Sequence, residues 1–482
     1  MRSLRNLVSS FGLWAIALGA GASDRDEMLA YLDSASGVYQ ALAMTIWDNA
    51  ELGYQETRSS ALLQETLAAE GFEIEAGVAG IPTAFVASYG SGKPVIGLLA
   101  EFDALPGISQ SSAPLREPIE GKNAGHACGH HLFGAGSTAA AVAIKRWLAA
   151  NPGSGTIRLY GTPAEEGGSG KVYMVRAGLF EDTDAVLVWH PADRNSADYS
   201  ATLANKSAKF RFSGVSSHAA VAPERGRSAL DGVEAMNFMV NLLREHVPQE
   251  SRIHYVITSG GSAPNVVPDF AEVFYYVRHP NAETLKGIWS RVMDAAEAAA
   301  QGTGTTMEAE VIHGNHSVLP NEALARVMHK NLTQVGGVQY DAQERDYARR
   351  ITATLNLDQD LEGREAQVEP LKFLQLMGST DVGDVSWRVP TTEMRAATWV
   401  PGTSPHTWQA IAAGGTSIGG KGMLVAAKTL ALTAADLYQQ PDLVSAASEE
   451  YRQRIGPNFV YEALLGDRPP PLDYRSNSTS GR

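Results

Sequence analysis

The chain has 482 residues, 44% of them hydrophobic, with Lys+Arg 39 against Asp+Glu 53 and a formal net charge of -14. That length and apolar content exceed one ordinary core and call for two globular domains rather than a disordered chain. The acidic balance, with no basic block to offset it, argues against nucleic acid as a partner.

The N-terminal stretch carries Arg2 and Arg5, a mostly apolar run from Phe11 to Leu18, and then Ala20-Gly21-Ala22. This is the order of a secretory signal peptide with a small-residue cleavage site, so residues 1–22 are expected to be removed and the mature chain to be periplasmic or secreted. An amphipathic N-terminal helix of a cytoplasmic protein is the alternative. The run is too short to span a bilayer and no other stretch approaches ~20 apolar residues, so no membrane association is expected after processing. Cys128 is the one cysteine, which excludes an intramolecular disulfide.

From about residue 60 to 200, short apolar runs alternate with helical patterns, as in βα units of a parallel sheet. Strands are predicted at 95–100, 156–160 and 185–189, with a helix over 135–149. The unbroken apolar run at 185–189 suits a sheet covered on both faces. The middle segment reads as strand 209–212, helix 228–246, strands 252–258 and 272–278, helix 282–301 and strand 305–312. That βαββαβ order is a split, ferredoxin-like α+β module. A helix at 321–335, a strand at 393–399 and a helix at 421–438 return to the first layer. The expected fold is an α/β catalytic domain with a mixed or mostly parallel sheet, formed by residues 23–204 and 319–466. A ferredoxin-like dimerisation or lid domain is inserted at 205–318. Residues 340–377 are charged and give no usable period. The tail 467–482, with Pro469-Pro470-Pro471, is expected to be disordered.

In open α/β sheets ligands bind beyond the carboxyl ends of the strands, so the residues that follow each predicted strand are informative. They are Glu101-Phe102-Asp103, then Pro163-Ala164-Glu165-Glu166, then His190, then Pro401-Gly402-Thr403-Ser404-Pro405-His406. A Gly-rich turn, Gly125-His126-Ala127-Cys128-Gly129-His130-His131, precedes the helix predicted at 135. Five such segments on one rim point to a site. Cys128 and His130 can address one ion from a turn, and thiolate with imidazole suits Zn, Mn or Fe better than Mg or Ca. Five donors, Cys128, His130, Glu166, His190 and His406, exceed one tetrahedral site, and two divalent ions with a shared ligand fit the count. Such a centre polarises a carbonyl and makes hydroxide from bound water, while a carboxylate outside the ligand set moves the proton. Adjacent Glu165 and Glu166 can divide these roles.

The segments Gly125–His130, 163–167, Ser217-His218-Ala219-Ala220 with Pro223 and Gly226, and Ala263-Pro264-Asn265-Val266-Val267-Pro268 resemble the aminoacylase/carboxypeptidase-G2 superfamily of metallopeptidases. Within it the match is to the amidohydrolase branch, and there to the aminobenzoyl-glutamate utilization B type. The resemblance runs from about Glu51 to Tyr438. It implies Cys128, His130, Glu166, His190 and His406 as ligands of two Mn or Zn ions, with Glu165 as general base. It also implies that His218 stabilises the oxyanion in the partner subunit of a homodimer, and that Asn265 and Arg278 bind substrate. Asp103 is expected to support the centre, and Glu101, where the wider superfamily has a His ligand, falls outside the ligand set. The implied reaction is hydrolysis of an amide in N-acyl or N-aroyl amino acids such as p-aminobenzoyl-glutamate. Arg278 can clamp the free carboxylate. His126 and His131 flank the ligand turn as candidate supporting groups, and His313 and His316 are read as surface residues.

Two other readings meet obstacles. Gly415-Thr416-Ser417-Ile418-Gly419 fits a serine-hydrolase elbow, but no strand precedes it and no histidine follows Ser417. A non-catalytic metal-binding protein on the same fold has no use for the second glutamate, Glu165.

Overall fold

The computed structural model describes residues 17–475 except 154 and 359. Of the expected signal peptide, residues 1–16 lie outside the described residues.

The central sheet has six strands in the order Glu73–Ala76, Phe85–Ser91, Gly155–Gly161, Val95–Ala100, Ala185–Ala192, Thr391–Ala397. The last four run parallel, and the first two add an antiparallel edge. Every residue of Val95–Ala100 is buried, as a strand covered on both faces requires. Helices Ala17–Asn49, His130–Ala150 and Ser417–Gln439 pack on one another, and the latter two lie on the sheet. Small residues permit that approach. A Cβ on Gly136 would sit 2.8 Å from the Trp189 ring, and one on Gly134 would sit 2.9 Å from the Glu101 carbonyl.

The inserted segment forms a four-stranded antiparallel sheet, ordered Arg252–Ser259, Phe270–His279, Ala204–Ser213, Thr306–Asn315. Helices Ala229–Leu243 and Ala282–Thr303 bury a second core against it. In Phe270–His279 the buried positions alternate, with Ala271, Val273, Tyr275 and Val277 beneath the helices. The period of two therefore turns Tyr276 and Arg278 to the opposite face.

Among its elements, the structure departs from the sequence reading most clearly as follows. The helix expected from residue 135 starts at His130, because Gly129 at φ 77° provides a left-handed cap. The strand from Ala185 continues to Ala192, so His190 lies within the strand. Residues 340–377 contain the helix Ala342–Thr352, started by a capping box of Asp341 and Glu344, and a short strand Phe373–Gln375 paired with Tyr199–Ala201. Residues 467–475, expected to be disordered, are held by side chains of the catalytic layer. Arg176 donates to the carbonyls of Asp467 and Arg468, and Gln55 to that of Leu472. A segment fixed through its carbonyls by other elements needs no periodicity of its own, so composition gave no sign of it.

Candidate metal centre and active site

Local backbone geometry converges on the ligand turn. A Cβ at Gly129 would lie 2.6 Å from Pro191 Cβ, so only glycine lets the turn close on the end of the His190 strand. The His406 amide donates to the Ala127 carbonyl (2.9 Å), and His406 itself adopts φ 63°. Ala164, before the two glutamates, adopts φ 58°, and its amide is held by Glu56 Oε1 at 2.8 Å. Left-handed backbone in non-glycine residues is uncommon and concentrates at functional sites. His126 and His131 are buried and their Nε2 atoms bond the carbonyls of Ile46 (3.0 Å) and Gly414 (3.1 Å), so they brace the turn.

The predicted ligands fall into adjoining sets. Donor atoms of Cys128, Glu166 and His406 lie within 4.8 Å of one another, as do those of Glu101, His130 and His190, and those of His130, Glu165 and Glu166. His406 Nε2 is 3.2 Å from Glu166 Oε1. His130 Nε2 and His190 Nε2 lie 3.0 and 3.2 Å from Glu101 Oε2. Their other ring nitrogens face carboxylates as well, His130 Nδ1 at 2.9 Å from Asp103 and His190 Nδ1 at 3.4 Å from Glu393. A neutral imidazole has one N–H, which can satisfy one of two flanking carboxylates and leaves a lone pair facing the other. His130 Nε2 is fully buried and, among the described residues, has no well-aligned hydrogen bond despite its closeness to Glu101. A divalent cation between these donors removes the conflict. Ligands about 2.0–2.1 Å from a tetrahedral ion lie roughly 3.3 Å apart, close to the spacings seen here. The residues present fit such ions.

Asp103 supports rather than lines the site, accepting from the Glu166 amide at 2.9 Å while holding His130. Glu101, which the sequence reading left outside the ligand set, stands in its middle. Its Oε1 pairs with Lys171 Nζ at 2.6 Å, Lys171 pairs with Asp381 at 2.7 Å, and all three side chains are fully buried or nearly so. Sequence reasoning missed Lys171, Asp381 and Glu393. Lys171 lies in Gly167-Gly168-Ser169-Gly170-Lys171, whose spacing signals only a failed phosphate loop.

Removal from water, then the charges of Glu101, Glu166 and Asp381, push the Glu165 carboxyl well above the usual range, with Lys171 opposing them. Burial alone would raise the Cys128 thiol, but His130 and His406 hold it below its ordinary value. A carboxyl of raised proton affinity beside a candidate ligand set is the arrangement amide hydrolysis would need.

These groups open on a cavity of about 720 Å³ lined by Cys128, Glu165, Glu166, His190 and His406 from the catalytic layer and by Tyr276, Arg278 and His313 from the insert. The Arg278 guanidinium lies 5.5 Å from the Tyr276 ring centroid. Among the described residues no carboxylate pairs with it, its Nε has no partner, and burial lowers its pKa. His218 and Asn265 are exposed on the insert and do not line this cavity. The described residues of one chain do not bring them to the candidate ligands. His313 and His316, read from sequence as surface residues, are buried. The strand extends to Asn315, and a register shift between Val311 and His313 turns His313 onto Ser169 Oγ (2.5 Å). His316 Nε2 bonds the Glu462 carbonyl at 2.9 Å. Ser417 opens a helix directly after another, Trp408–Gly414, and donates to Glu344 at 2.6 Å, which excludes a strand-borne nucleophile elbow.

The profile described as peptidase family M20/M25/M40 matches residues 97–354, more than half of the chain. The chain belongs to this family. It is 41% identical to a subunit of the p-aminobenzoyl-glutamate hydrolase of Escherichia coli (strain K12), over 86% of this chain and 92% of that protein. It is 30% identical to the Xaa-Arg dipeptidase of Mus musculus, over 88% and 91%. Among solved structures, the aminobenzoyl-glutamate utilization protein from Klebsiella pneumoniae superposes with a TM-score of 0.62 at 19% identity, covering 85% of this chain and 98% of its own, and shows the shared fold. Family membership and these hydrolase relatives make the chain a metal-dependent amidohydrolase. Among the described residues no helix is long and apolar enough to cross a membrane.

Proposed function

We propose that the protein hydrolyses the amide bond of N-acyl or N-aroyl amino acids that keep a free carboxylate, with p-aminobenzoyl-glutamate as the leading substrate. The observation that carries this reading is Arg278, a guanidinium that no carboxylate among the described residues pairs, on the same cavity as the candidate ligands. The E. coli relative named for p-aminobenzoyl-glutamate hydrolysis supports the choice of aroyl group. Cys128, Glu166 and His406 would hold one Zn or Mn ion and His130 and His190 a second, supplying Lewis-acid polarisation of the amide carbonyl. Glu165 would take the proton of the attacking water and deliver it to the leaving nitrogen. Arg278 would fix the substrate carboxylate through paired N–H donors.

Arg278→Leu is expected to raise KM for substrates with a free carboxylate and to change little for the corresponding esters or amides, read from steady-state kinetics on both series. Equal damage to both would assign Arg278 a structural task.

The exposure of His218 and Asn265 supports a site completed by a second copy of the chain, because among the described residues neither lines the cavity of the candidate ligands. A two-fold dimer through the insert would present His218 to the partner's cavity to stabilise the oxyanion, with Asn265 binding substrate there. Mixing inactive His218→Ala and Glu165→Gln chains should then restore about a quarter of wild-type activity. About half of randomly reassorted dimers are mixed, and each of those has one site with both residues intact. Mixed dimers with no recovered activity would exclude a shared site.

A further inference from the structure

The two ions of the reading above are unequally provided for. One has three protein donors, Cys128, Glu166 and His406, while the other has only His130 and His190. Catalytic ions of this class ordinarily take three protein ligands and keep one position open. A third donor is already at hand. Ligand atoms of Glu101, His130 and His190 lie within 4.8 Å of one another. Glu101 Oε2 stands 3.0 Å from His130 Nε2 and 3.2 Å from His190 Nε2, close to the roughly 3.3 Å between neighbouring ligands of a tetrahedral ion. Glu165 meets His130 and Glu166 in another set, and the reading above gives it the proton.

Both imidazoles turn the same atom to this oxygen. Nδ1 of His130 faces Asp103 at 2.9 Å, and Nδ1 of His190 faces Glu393 at 3.4 Å. A neutral ring whose proton sits on Nδ1 carries its lone pair on Nε2. Two lone pairs and a carboxylate oxygen then meet at one point, and they repel one another unless a cation lies between them. The second oxygen of Glu101 is committed elsewhere. Oε1 pairs with Lys171 Nζ at 2.6 Å, and Lys171 is anchored on Asp381 at 2.7 Å, with all three side chains 0% exposed. Lys171 thus holds the carboxylate with Oε2 toward the histidines. The charges agree with this placement. Two divalent ions bring four positive charges, of which the Cys128 thiolate and Glu166 answer two, and buried charge calls for a nearby partner.

We propose that Glu101 is the third protein ligand of the second ion, through Oε2, and that Lys171 is a positioning residue that keeps it in that orientation. This rests on the two-ion reading above and adds a donor where that reading has two histidines alone. The family resemblance leaves Glu101 outside the ligand set, and the distances argue for bringing it in.

The test is a crystal structure of the wild-type protein loaded with Zn²⁺, its ions located by anomalous scattering, together with Zn²⁺ titration of wild type and Glu101→Gln. Glu101 Oε2 should lie about 2.0–2.2 Å from the ion on His130 and His190. Glu101→Gln should keep one ion per chain at wild-type affinity and bind the other more weakly by a larger factor than the roughly 10–100-fold lost when a group that only orients a ligand is removed. An ion on both histidines with Glu101 beyond about 3 Å, or a Glu101→Gln chain that binds two ions with affinities within about tenfold of wild type, would overturn the ligand assignment and leave the two-ion reading standing. No ion on His130 and His190 would overturn both. If Glu101→Gln does not fold, the distance in the wild-type structure decides alone.

Discussion

Glu165→Gln should reduce turnover by roughly 10²–10⁴-fold or more and leave the metal content unchanged. The substitution keeps the size and hydrogen-bonding capacity of the side chain and removes the proposed proton acceptor. Glu165 suits that task because loss of water and the carboxylates of Glu101, Glu166 and Asp381 hold its proton affinity high, while Lys171 keeps the rise in check. Glu166, by contrast, meets Cys128 and His406 in one donor set, with 3.2 Å between Oε1 and His406 Nε2. Glu166→Gln should therefore lower metal affinity before it lowers the rate constant of the loaded enzyme. Kinetics with parallel elemental analysis separate the two, and the opposite pattern would exchange their roles.

Lys171→Met should destabilise the metal-free protein by about 3–5 kcal/mol, because it strips the counter-charge from two carboxylates with no access to water. Lys171, Glu101 and Asp381 all have side-chain exposures of 0%. The Lys171 amide also donates to Asp381 Oδ2 at 2.9 Å, so the loop that follows Glu165 and Glu166 is tied to the same carboxylate. The loss should be visible in urea unfolding after chelation, and Asp381→Asn added to Lys171→Met should recover part of it by removing one orphaned charge. An unfolding midpoint indistinguishable from wild type would show that the network does not support the site.

The catalytic strands were legible because their burial is written as continuous apolar runs. Val95–Ala100 matches its predicted limits, and Ala185–Ala192 begins where predicted. The turn Gly125–His131, which carries two of the candidate donors, stood out because Cys128 and His130 are close in sequence and follow glycine punctuation. The groups that orient the ligands were not. Lys171 and Asp381 are 210 positions apart and Glu166 and Arg475 are 309 apart, so each pair exists only through the fold. Glu393 sits in a strand whose pattern reports burial and not which histidine lies beside it. Residues 467–475 were misread because Pro and small polar residues resemble a disordered segment whether or not other elements bind their carbonyls, and the rest of the expected tail lies outside the described residues. His313 was misread because a register shift, invisible in the alternation, turns it inward.

The most direct test of the central claim is the metal content of the purified protein and of Cys128→Ala, measured by elemental analysis at equal concentration with activity followed through chelation and reloading. Wild type should carry two divalent ions per chain, lose activity on chelation and regain it with Mn or Zn, and Cys128→Ala should bind fewer ions while staying folded. Full activity in a metal-free protein, or unchanged stoichiometry in Cys128→Ala, would contradict the assignment of this site as a two-ion centre built on Cys128.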